Sequence, residues 1–460
     1  MFSSIKKLFF VGIGGIGMSG IAEILLNEGF RISGSDKSLS EVTEHLAKLG
    51  AEIFEGHSAK NISSDIDVLV YSSAVPPENP EIVECKRRGI PIIRRAEMLA
   101  EVMRLKYGIG IAGTHGKTTT TSMVSLILME GGKDPTVIVG GKLNGLGGTN
   151  ARLGKGEFIV VEADEFDRSF LSLTPTIAVL TTLETDHLDC YRDLEDIKGA
   201  FVQFATKVPF YGFVVLCLDE PALQDIMPLL QNKRLLTYGF NPQADIQAVD
   251  VRYKENMTHF TVIRHGEELG EVALQLPGSH NVENALAAIT VGLELGISFD
   301  LVKKGIGKFS GVYRRWEKKG EAKGIVVYDD YAHHPTECRA TLAGAKAGWR
   351  RRVVCVFQPH LFTRTRDFYE EFGKAFLLSD VLVVTDIYPA REEPIQGVTG
   401  ELIADAAKGF GHKEVHYVQD KKELPKFLLT IAKQGDMIIT MGAGDITKYG
   451  EEFLKLLGSQ

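Results

Sequence analysis

One glycine-rich segment carries the clearest chemical signal of the sequence: Gly113-Thr114-His115-Gly116-Lys117-Thr118. It follows an apolar strand predicted over 107–112 and precedes a helix-favouring stretch over 119–130. Glycines allow backbone N–H groups to point into one concavity, the helix adds the positive end of its dipole, and Lys117 adds a full charge. The segment therefore predicts a loop that binds the phosphates of a nucleoside triphosphate, with the Thr118 hydroxyl on a magnesium ion.

This loop departs from the general pattern G-x-x-x-x-G-K-[ST], which places glycine where this chain has Ile111. It is a shorter variant, G-x-x-G-K-T, and the alternative interpretation is a turn of no chemical meaning. The strand before it and the helix after it favour phosphate binding. The residues expected to contact the nucleotide here are Gly113, Thr114, His115, Gly116, Lys117, Thr118 and Thr119.

A second glycine-rich turn, Gly12-x-Gly14-x-x-Gly17, lies near the start of the chain and matches the dinucleotide fingerprint. Asp36 ends the next predicted strand, where an acid that binds ribose would lie. The three glycines allow close approach of a pyrophosphate to a helix N-terminus, but they do not say which diphosphate binds. A nicotinamide dinucleotide, a nucleotide sugar and a purely structural turn all fit the pattern.

Two carboxylate clusters follow predicted strands in the middle of the chain. They are Glu162-Ala163-Asp164-Glu165 and Asp186-His187-Leu188-Asp189. Ligands gather at strand ends in open α/β sheets, and oxygen ligands with an occasional imidazole suit magnesium beside a triphosphate. Solvated loop residues are the alternative for each carboxylate taken singly.

Strand and helix signals alternate through three blocks, which predicts an α/β protein of three domains. The first and third resemble Rossmann-like, doubly wound domains, and the central one an α/β domain of the P-loop ATPase type. We place the domains at 1–105, 106–312 and 313–460. The main predicted strands lie at 8–11, 107–112, 158–161, 177–181, 213–216, 325–328, 353–357, 381–385 and 437–440, with a β-rich stretch at 234–276 and a helix at 281–295.

Composition describes an ordinary globular protein of 460 residues with 44% hydrophobic and 24% charged residues. The net charge of −8 argues against a general nucleic-acid binder, because no basic excess exists to displace phosphate counterions. We expect no signal peptide and no membrane insertion, since no apolar run of about 18 residues occurs, and hence a cytoplasmic protein. The five scattered cysteines predict neither a disulfide framework nor a zinc site.

Taken together, these motifs resemble those of the Mur ligases, the ATP-dependent amide-forming enzymes of peptidoglycan synthesis. The resemblance spans all three blocks, and its opening nonapeptide and final run point to the alanine-adding branch. The matching runs are Gly12 to Gly20, Gly113 to Thr118, Glu162-Ala163-Asp164-Glu165, Asp186-His187-Leu188-Asp189, His280-Asn281-Val282-Glu283-Asn284 and Asp329-Asp330-Tyr331-Ala332-His333-His334-Pro335.

The resemblance implies that ATP phosphorylates the lactyl carboxylate of UDP-N-acetylmuramate and that the amine of L-alanine attacks the acyl phosphate. It assigns Thr118, Glu162 and His187 to magnesium, with two ions expected, and Lys117 to the phosphates. His333 joins Lys117, Glu162 and His187 as a catalytic candidate. Related ligases carry a carbamylated lysine; Lys198 is the nearest lysine here, and we expect it to be unmodified.

Further contacts are carried over from the same resemblance. His280, Asn281 and Asn284 are expected to read adenine, although Asn281 also suits a helix cap. Arg314 and Arg315 resemble linker arginines that reach the ATP phosphates, and Asp330 an acid near the ribose. The amino-acid pocket is expected to use Tyr331, His333 and Arg364, whose guanidinium can grip a carboxylate. Leu361 stands where a familiar version of the motif has arginine.

The UDP-sugar contacts are expected in the first block, at Gly12, Gly14, Gly15, Gly17, Met18, Ser19, Asp36, His57, Ser72 and Ser73. Two alternatives stay open: a sister ligase that attaches a recycled peptide to the same sugar nucleotide, and a nicotinamide-dependent oxidoreductase or dinucleotide-binding protein. The expected partners are small molecules, with no nucleic acid, and the protein is expected to be a monomer or homodimer.

Overall fold

The computed structural model describes residues 5–72, 74–140, 151–185, 190–390 and 392–459, with the side chains of Ile16 and Asp167 left out. Its described residues form two compact units. One comprises residues 1–249, 261–272 and 283–309, and the other residues 250–260, 273–282 and 310–460.

The first sheet is a parallel, doubly wound sheet with strand order β3-β2-β1-β4-β5. The residues of β1 from Leu8 onward are buried, as expected of a parallel strand covered on both faces. Asn79 caps the N-terminus of α3, Pro80 occupies its first turn, and Gly89 ends it at φ +70°. The elements are β1 (Lys7–Val11), α1 (Ile16–Asn27), β2 (Arg31–Asp36), α2 (Glu41–Lys48), β3 (Glu52–Glu55), β4 (Val68–Tyr71), α3 (Pro80–Arg88), β5 (Ile92–Arg94) and α4 (Arg95–Met103).

The second sheet has the order β15-β14-β13-β12-β11-β10-β6-β9-β7-β8. Its centre is parallel and buried on both faces, and the carboxyl ends of β6, β9 and β10 meet at one edge. The elements are β6 (Tyr107–Ala112), α5 (Lys117–Glu130), β7 (Thr136–Ile138), β8 (Ala151–Arg152), β9 (Phe158–Ala163), β10 (Ile177–Leu180), α6 (Leu194–Thr206), β11 (Phe213–Cys217), α7 (Pro221–Ile226), β12 (Leu235–Gly239), β13 (Ile246–Lys254), β14 (Met257–Arg264), β15 (Glu267–Leu274), α8 (Ser279–Glu294) and α9 (Phe299–Gly307).

The third sheet has the order β16-β17-β21-β18-β19-β20, in which β16 runs antiparallel to β17 and the other pairs are parallel. The elements are β16 (Glu317–Ala322), β17 (Ile325–Asp330), α10 (Pro335–Gly348), β18 (Val353–Phe357), α11 (Phe362–Ala375), β19 (Val381–Thr385), α12 (Glu401–Gly409), β20 (Val415–Val418), α13 (Leu424–Ile431), β21 (Met437–Met441) and α14 (Thr447–Ser459).

The predicted α/β class is confirmed by these three sheets and by the helices that connect their strands. The boundaries predicted at 105/106 and 312/313 stay predictions. All five cysteines lie in the described part of the chain, outside any disulfide; four are buried and Cys190 is partly exposed. Within that part, no helix combines the length and the apolar character needed to cross a bilayer.

Candidate active site

The loop between β6 and α5 has a backbone that requires glycine at two positions. Gly113 has φ +149° and Gly116 has φ +82°. A Cβ atom on Gly113 would lie 1.9 Å from Oγ1 of Thr181, and one on Gly116 would lie 2.3 Å from Oδ1 of Asn284. Gly116 is also the N-cap of α5, and because glycine has no side-chain oxygen it leaves the first N–H groups of the helix to a ligand.

The middle of the loop is tied to the segment that follows β10. The N–H of Thr114 donates to the carbonyl of Thr182 at 3.1 Å, and the N–H of His115 donates to Oγ1 of Thr182 at 2.8 Å. His115 also lies 3.5 Å, Nε2 to Oε2, from Glu184. These two N–H groups therefore fix the shape of the loop, whereas the N–H groups at the N-terminus of α5 have no side-chain cap among the described residues.

Lys117 is held by a buried carboxylate. Its Nζ donates to both oxygens of Glu165, at 2.9 and 2.7 Å, and to the carbonyl of Gly113 at 2.7 Å. Burial by itself lowers the pKa of Lys117, but the carboxylates of Glu165, Asp164 and Glu162 outweigh it and raise that pKa. Lys117 is therefore a permanent cation at neutral pH.

Two of the three predicted magnesium ligands lie side by side. Oγ1 of Thr118 donates to Oε1 of Glu162 at 2.7 Å, and the N–H of Gly140 donates to Oε2 of Glu162 at 2.6 Å. Glu162 reaches this place because β9 pairs with β6, with Ile111 opposite Glu162. A hydroxyl beside a carboxylate is a donor set that fits Mg²⁺. His187, the third predicted ligand, lies in 186–189, outside the described residues.

Asn284 lies near the start of α8 and contacts the loop between β6 and α5. Its Oδ1 accepts from Oγ1 of Thr120 in α5 at 3.2 Å, and its side chain lies against Gly116. Thr119, also in α5, is buried. Asn281 is buried as well, and its Nδ2 donates to the carbonyl of Pro277 at 2.7 Å. His280 lies against Gly278. The expected contact of both asparagines with adenine stays a prediction.

The glycine turn of the first sheet is anchored by β2. The N–H groups of Gly12 and Ile13 donate to the carbonyl of Ser35 at 2.8 and 3.0 Å. The N–H of Gly14 donates to Oδ2 of Asp36 at 2.8 Å. Asp36 therefore shapes the turn, and its expected contact with a ribose stays a prediction. A Cβ atom on Gly17 would lie 2.3 Å from Nη1 of Arg95, so a larger residue there would require that side chain to move.

The remaining residues predicted to contact the UDP-sugar differ in accessibility. Met18 and Ser19 are buried in α1, and their N–H groups donate to the carbonyl of Gly15. His57 and Ser72 are partly exposed and lie beyond the carboxyl ends of β3 and β4. Ser73 lies outside the described residues.

In the C-terminal sheet, β17 ends at a buried acid. Asp330 accepts from the N–H groups of Ala332 and Trp316, both at 2.9 Å. Burial raises the pKa of Asp330 to about 6, although Arg315 and the two hydrogen bonds act to lower it. The guanidinium of Arg315 lies over the Tyr331 ring at 5.2 Å and donates to Glu337 at 3.3 Å.

Arg314 has a different place from the one its sequence position suggested. Its side chain is buried and donates to Oδ2 of Asp329 at 2.8 Å and to the carbonyls of Gly444 at 2.7 Å and Gly442 at 2.5 Å. The expectation that it reaches the ATP phosphates is not supported by these contacts, because they hold the guanidinium against β17 and the loop after β21.

The predicted amino-acid-binding residues lie in the same unit. Nδ1 of His333 lies 3.0 Å from the carbonyl of Tyr331 and 3.2 Å from Oε2 of Glu337. Arg364, in the first turn of α11, is buried, with Nη1 3.4 Å from Nδ1 of His360. Leu361, the N-cap of α11, has φ +71°, a left-handed conformation that is strained for leucine.

Several residues that shape the site were not assigned from sequence. Glu165 was predicted only as a member of a carboxylate cluster suited to magnesium, not as the partner of Lys117, and no role was predicted for Thr182. An acid three positions after Glu162 and a pair of threonines directly after a strand were the available signals. Neither signal identifies the residue that is contacted. The contact of Glu165 with Lys117 spans 48 positions of the chain, and that of Thr182 with His115 spans 67.

Comparison with known proteins places the chain in a family. Three family models match: the Mur ligase family catalytic domain over residues 7–107, the Mur ligase middle domain over residues 111–292, and the Mur ligase glutamate ligase domain over residues 314–444. The chain belongs to the Mur ligase family and is an ATP-dependent ligase. The family resemblance seen in the sequence is thereby confirmed.

Full-length relatives narrow the comparison. The chain is 56% identical over 457 residues to the UDP-N-acetylmuramate–L-alanine ligase of Geotalea uraniireducens, covering 99% of both chains. It is 54% identical to that of Salinibacter ruber, covering 98% of this chain and 95% of the relative. The solved UDP-N-acetylmuramate–alanine ligase of Thermotoga maritima has a TM-score of 0.81 at 32% identity, covering 98% and 99%. A murein peptide ligase of Psychrobacter arcticus has a TM-score of 0.69 at 25% identity, covering 99% of both.

Proposed function

We propose that this protein joins L-alanine to the lactyl carboxylate of UDP-N-acetylmuramate, consuming ATP and giving ADP and phosphate. The proposal is carried by identity of 52 to 56% along almost the whole chain to ligases of that name. The arrangement of Lys117, Thr118 and Glu162 supports the phosphoryl-transfer half of the reaction.

The chemistry follows from the poor reactivity of a carboxylate. Its leaving group in an acyl transfer would be oxide, whereas an acyl phosphate releases phosphate. Phosphoryl transfer between two anions needs positive charge and alignment more than covalent help from the protein. Lys117 supplies a charge that does not titrate near neutrality. Thr118 and Glu162, with His187, would hold magnesium, which neutralises triphosphate charge when bound; two ions are part of the proposal.

The substrate contacts are divided among the three sheets in this proposal. The UDP portion lies over the glycine turn, with Asp36, His57, Ser72 and Ser73 around it. Adenine is read by His280, Asn281 and Asn284, and Asp330 and Arg315 serve the nucleotide. Tyr331, His333 and Arg364 form the amino-acid pocket, where a guanidinium can hold the alanine carboxylate in bidentate fashion.

Selectivity for alanine over glycine or serine is expected to be modest. One methyl group in an apolar pocket discriminates by about 1–3 kcal/mol. Leu361 adds a difference from the familiar motif next to Arg364. Measurable turnover of glycine and serine is therefore expected in the assay below.

The test is ADP release in the presence of UDP-N-acetylmuramate, with alanine, other amino acids and a tripeptide compared as second substrates. Alanine is expected to give the highest kcat/KM. Preference for the tripeptide would favour the sister ligase that adds a recycled peptide. Binding of NADH without ADP release would favour a nicotinamide-dependent protein and would overturn the proposal.

A further inference from the structure

A carboxylate with no solvent exposure lies beneath the predicted UDP site. Glu81, in the first turn of α3, is 0% exposed. Burying a charged group is costly unless it is paired or hydrogen-bonded. The N-terminus of α3 contributes favourably, because the positive end of a helix dipole stabilises an anion. The other contributions come from four groups that surround the two carboxylate oxygens.

The two oxygens of Glu81 face different partners. Oε1 accepts from Nδ2 of Asn61 at 2.7 Å and from the N–H of Ser58 at 3.4 Å. Oε2 accepts from Oγ of Ser35 at 2.8 Å and lies 3.0 Å from Nδ1 of His57. Oγ of Ser35 also lies 3.0 Å from the same Nδ1.

This arrangement determines which nitrogen of the His57 ring, Nδ1 or Nε2, carries the proton. The single hydroxyl proton of Ser35 goes to Glu81, so Nδ1 of His57 faces oxygen lone pairs on both neighbours. Nδ1 must therefore be the protonated nitrogen. In the neutral ring Nε2 then carries a lone pair and is a hydrogen-bond acceptor. Among the residues that the structure describes, Nε2 has no hydrogen-bond partner, and 18% of the His57 side chain is exposed.

The strand order indicates which part of a nucleotide His57 would meet. The glycine turn follows β1, and β2 and β3 lie to one side of it in the order β3-β2-β1. In doubly wound sheets of this kind the pyrophosphate lies at the turn after β1 and the ribose at the end of β2. The base continues in the same direction, toward the end of β3, and His57 is the second residue after that strand.

We propose that Glu81 is a positioning residue that fixes His57 as an acceptor for the N3–H of uracil, so that the site selects UDP over CDP. Uracil carries a hydrogen on N3, whereas cytosine has a lone pair there. A lone pair on Nε2 of His57 therefore accepts a hydrogen bond from N3–H of uracil, whereas it repels the lone pair on N3 of cytosine. The inference deepens the proposed function, on which it rests for the identity of the nucleotide.

The substitution Glu81→Gln tests this assignment with almost no change of shape. Asn61 and Ser58 both donate, so the glutamine must turn its carbonyl oxygen to them. Its NH₂ group then faces Ser35 and His57. Nδ1 of His57 becomes an acceptor and the proton moves to Nε2, which now opposes the N3–H of uracil.

The expected result is a change confined to one substrate. Glu81→Gln should raise KM for UDP-N-acetylmuramate at least tenfold, with kcat and KM for ATP within about twofold of wild type, since one opposed hydrogen bond is worth about 1.4 kcal/mol or more. Calorimetric titration should show the UDP-over-CDP affinity ratio falling by a similar factor. Glu84→Gln removes the same charge from the same helix, where Glu84 pairs with Arg87 and Arg88, and should change neither quantity.

Nitrogen NMR of the histidine ring gives a reading independent of activity. Wild type should show a protonated Nδ1 and Glu81→Gln a protonated Nε2. A wild-type Nε2–H tautomer, or an unchanged UDP-over-CDP ratio in Glu81→Gln, overturns the inference.

If Glu81→Gln does not fold, His57→Ala tests whether His57 determines the preference for UDP over CDP. This variant keeps Glu81 and its hydrogen bonds with Ser35, Ser58 and Asn61. That variant should lose the preference for UDP, and retention of the preference overturns the inference. Absence of alanine-dependent ADP release in wild type would instead count against the proposed function, since UDP and CDP titrations do not depend on turnover.

Discussion

At the scale of single residues, the site is organised by charges whose partners lie far along the chain. Lys117, Thr118 and Glu162 could be proposed from sequence because each belongs to a local motif after a strand. The Glu165 partner of Lys117 and the Asp329 partner of Arg314 could not, since they depend on which strands become neighbours. Arg314 shows the limit most clearly: of these two adjacent arginines, the side chain of Arg314 is buried and that of Arg315 is 32% exposed.

Replacing Lys117 by alanine is expected to lower kcat about 100-fold or more, because a charge on the transferred phosphoryl group is lost. It also leaves Glu165, with 3% of its side chain exposed, without its cation. We expect a loss of up to about 3 kcal/mol in the free energy of unfolding. The double variant Lys117→Ala/Glu165→Gln should recover stability but not turnover. Equal stability of the single and double variants would contradict the described ion pair.

A second prediction concerns pH. Burial raises the pKa of Glu220 and of Glu283 to about 7, with further contributions from Glu184 for Glu220 and from Asp219 and then Glu220 for Glu283. The unfolded chain releases these protons near its ordinary pKa, about 4.3, so stability falls as pH rises from there to about 7 and then levels off.

Glu283→Gln removes that penalty. Relative to wild type, its free energy of unfolding should be higher by about 1–3 kcal/mol at pH 8 and nearly unchanged at pH 4.5. Denaturant titrations at the two pH values measure the difference, with the exposed Glu267→Gln as control. A stabilisation of Glu283→Gln that is equal at both pH values would show that the carboxyl group does not titrate as described.

At the scale of elements, the apolar strands were the most predictable feature. The strand predicted at 107–112 is β6 (Tyr107–Ala112), and its apolar sequence before a glycine-rich turn identifies it without any tertiary information. The helix predicted from 119 begins at Lys117, because the glycine turn closes earlier than residue propensities indicate. The two-residue β8 and three-residue β7 were not predicted, since strands this short have no periodicity.

The two ends of α5 offer a matched test of the phosphate loop. Gly116 and Gly132 both have positive φ, +82° and +70°, but only Gly116 has a neighbour where a Cβ would go. Gly116→Ala should raise KM for ATP at least tenfold by displacing Asn284 or the loop. Gly132→Ala should cost about 1 kcal/mol of stability from backbone strain and leave KM unchanged. Steady-state kinetics and thermal unfolding of both variants distinguish the two effects.

At the scale of the whole molecule, alternating strands and helices predicted three α/β blocks, and three sheets are present. The order of strands within each sheet was not predictable, because the sequence pattern of a strand does not indicate which other strands it pairs with. Because neighbouring central strands run parallel, their carboxyl ends meet at one edge of the sheet, and in the proposed function these edges of the first two sheets bind different nucleotides.

Hydrogen exchange can test that division directly. UDP-N-acetylmuramate alone should protect amides around 12–17 and 56–58, and a non-hydrolysable ATP analogue with magnesium should protect those around 113–119. Mass spectrometry of peptic fragments gives the comparison, with Lys117→Ala as a control in which only the second protection is lost. Protection of the phosphate loop by the UDP-sugar alone would show that the two nucleotides do not have separate sites.

The distribution of thiols makes the protein suited to labelling at one position without mutagenesis. Burial raises the pKa of Cys85 to about 11 and raises those of Cys217, Cys338 and Cys355 as well, so these thiols react slowly. A maleimide dye should therefore couple first at Cys190. The next residue, Tyr191, donates its hydroxyl to the carbonyl of Glu165, the carboxylate partner of Lys117. A fluorophore there would lie two side chains from Lys117, and if Lys117 binds phosphate as proposed, it would report nucleotide binding as a change in emission.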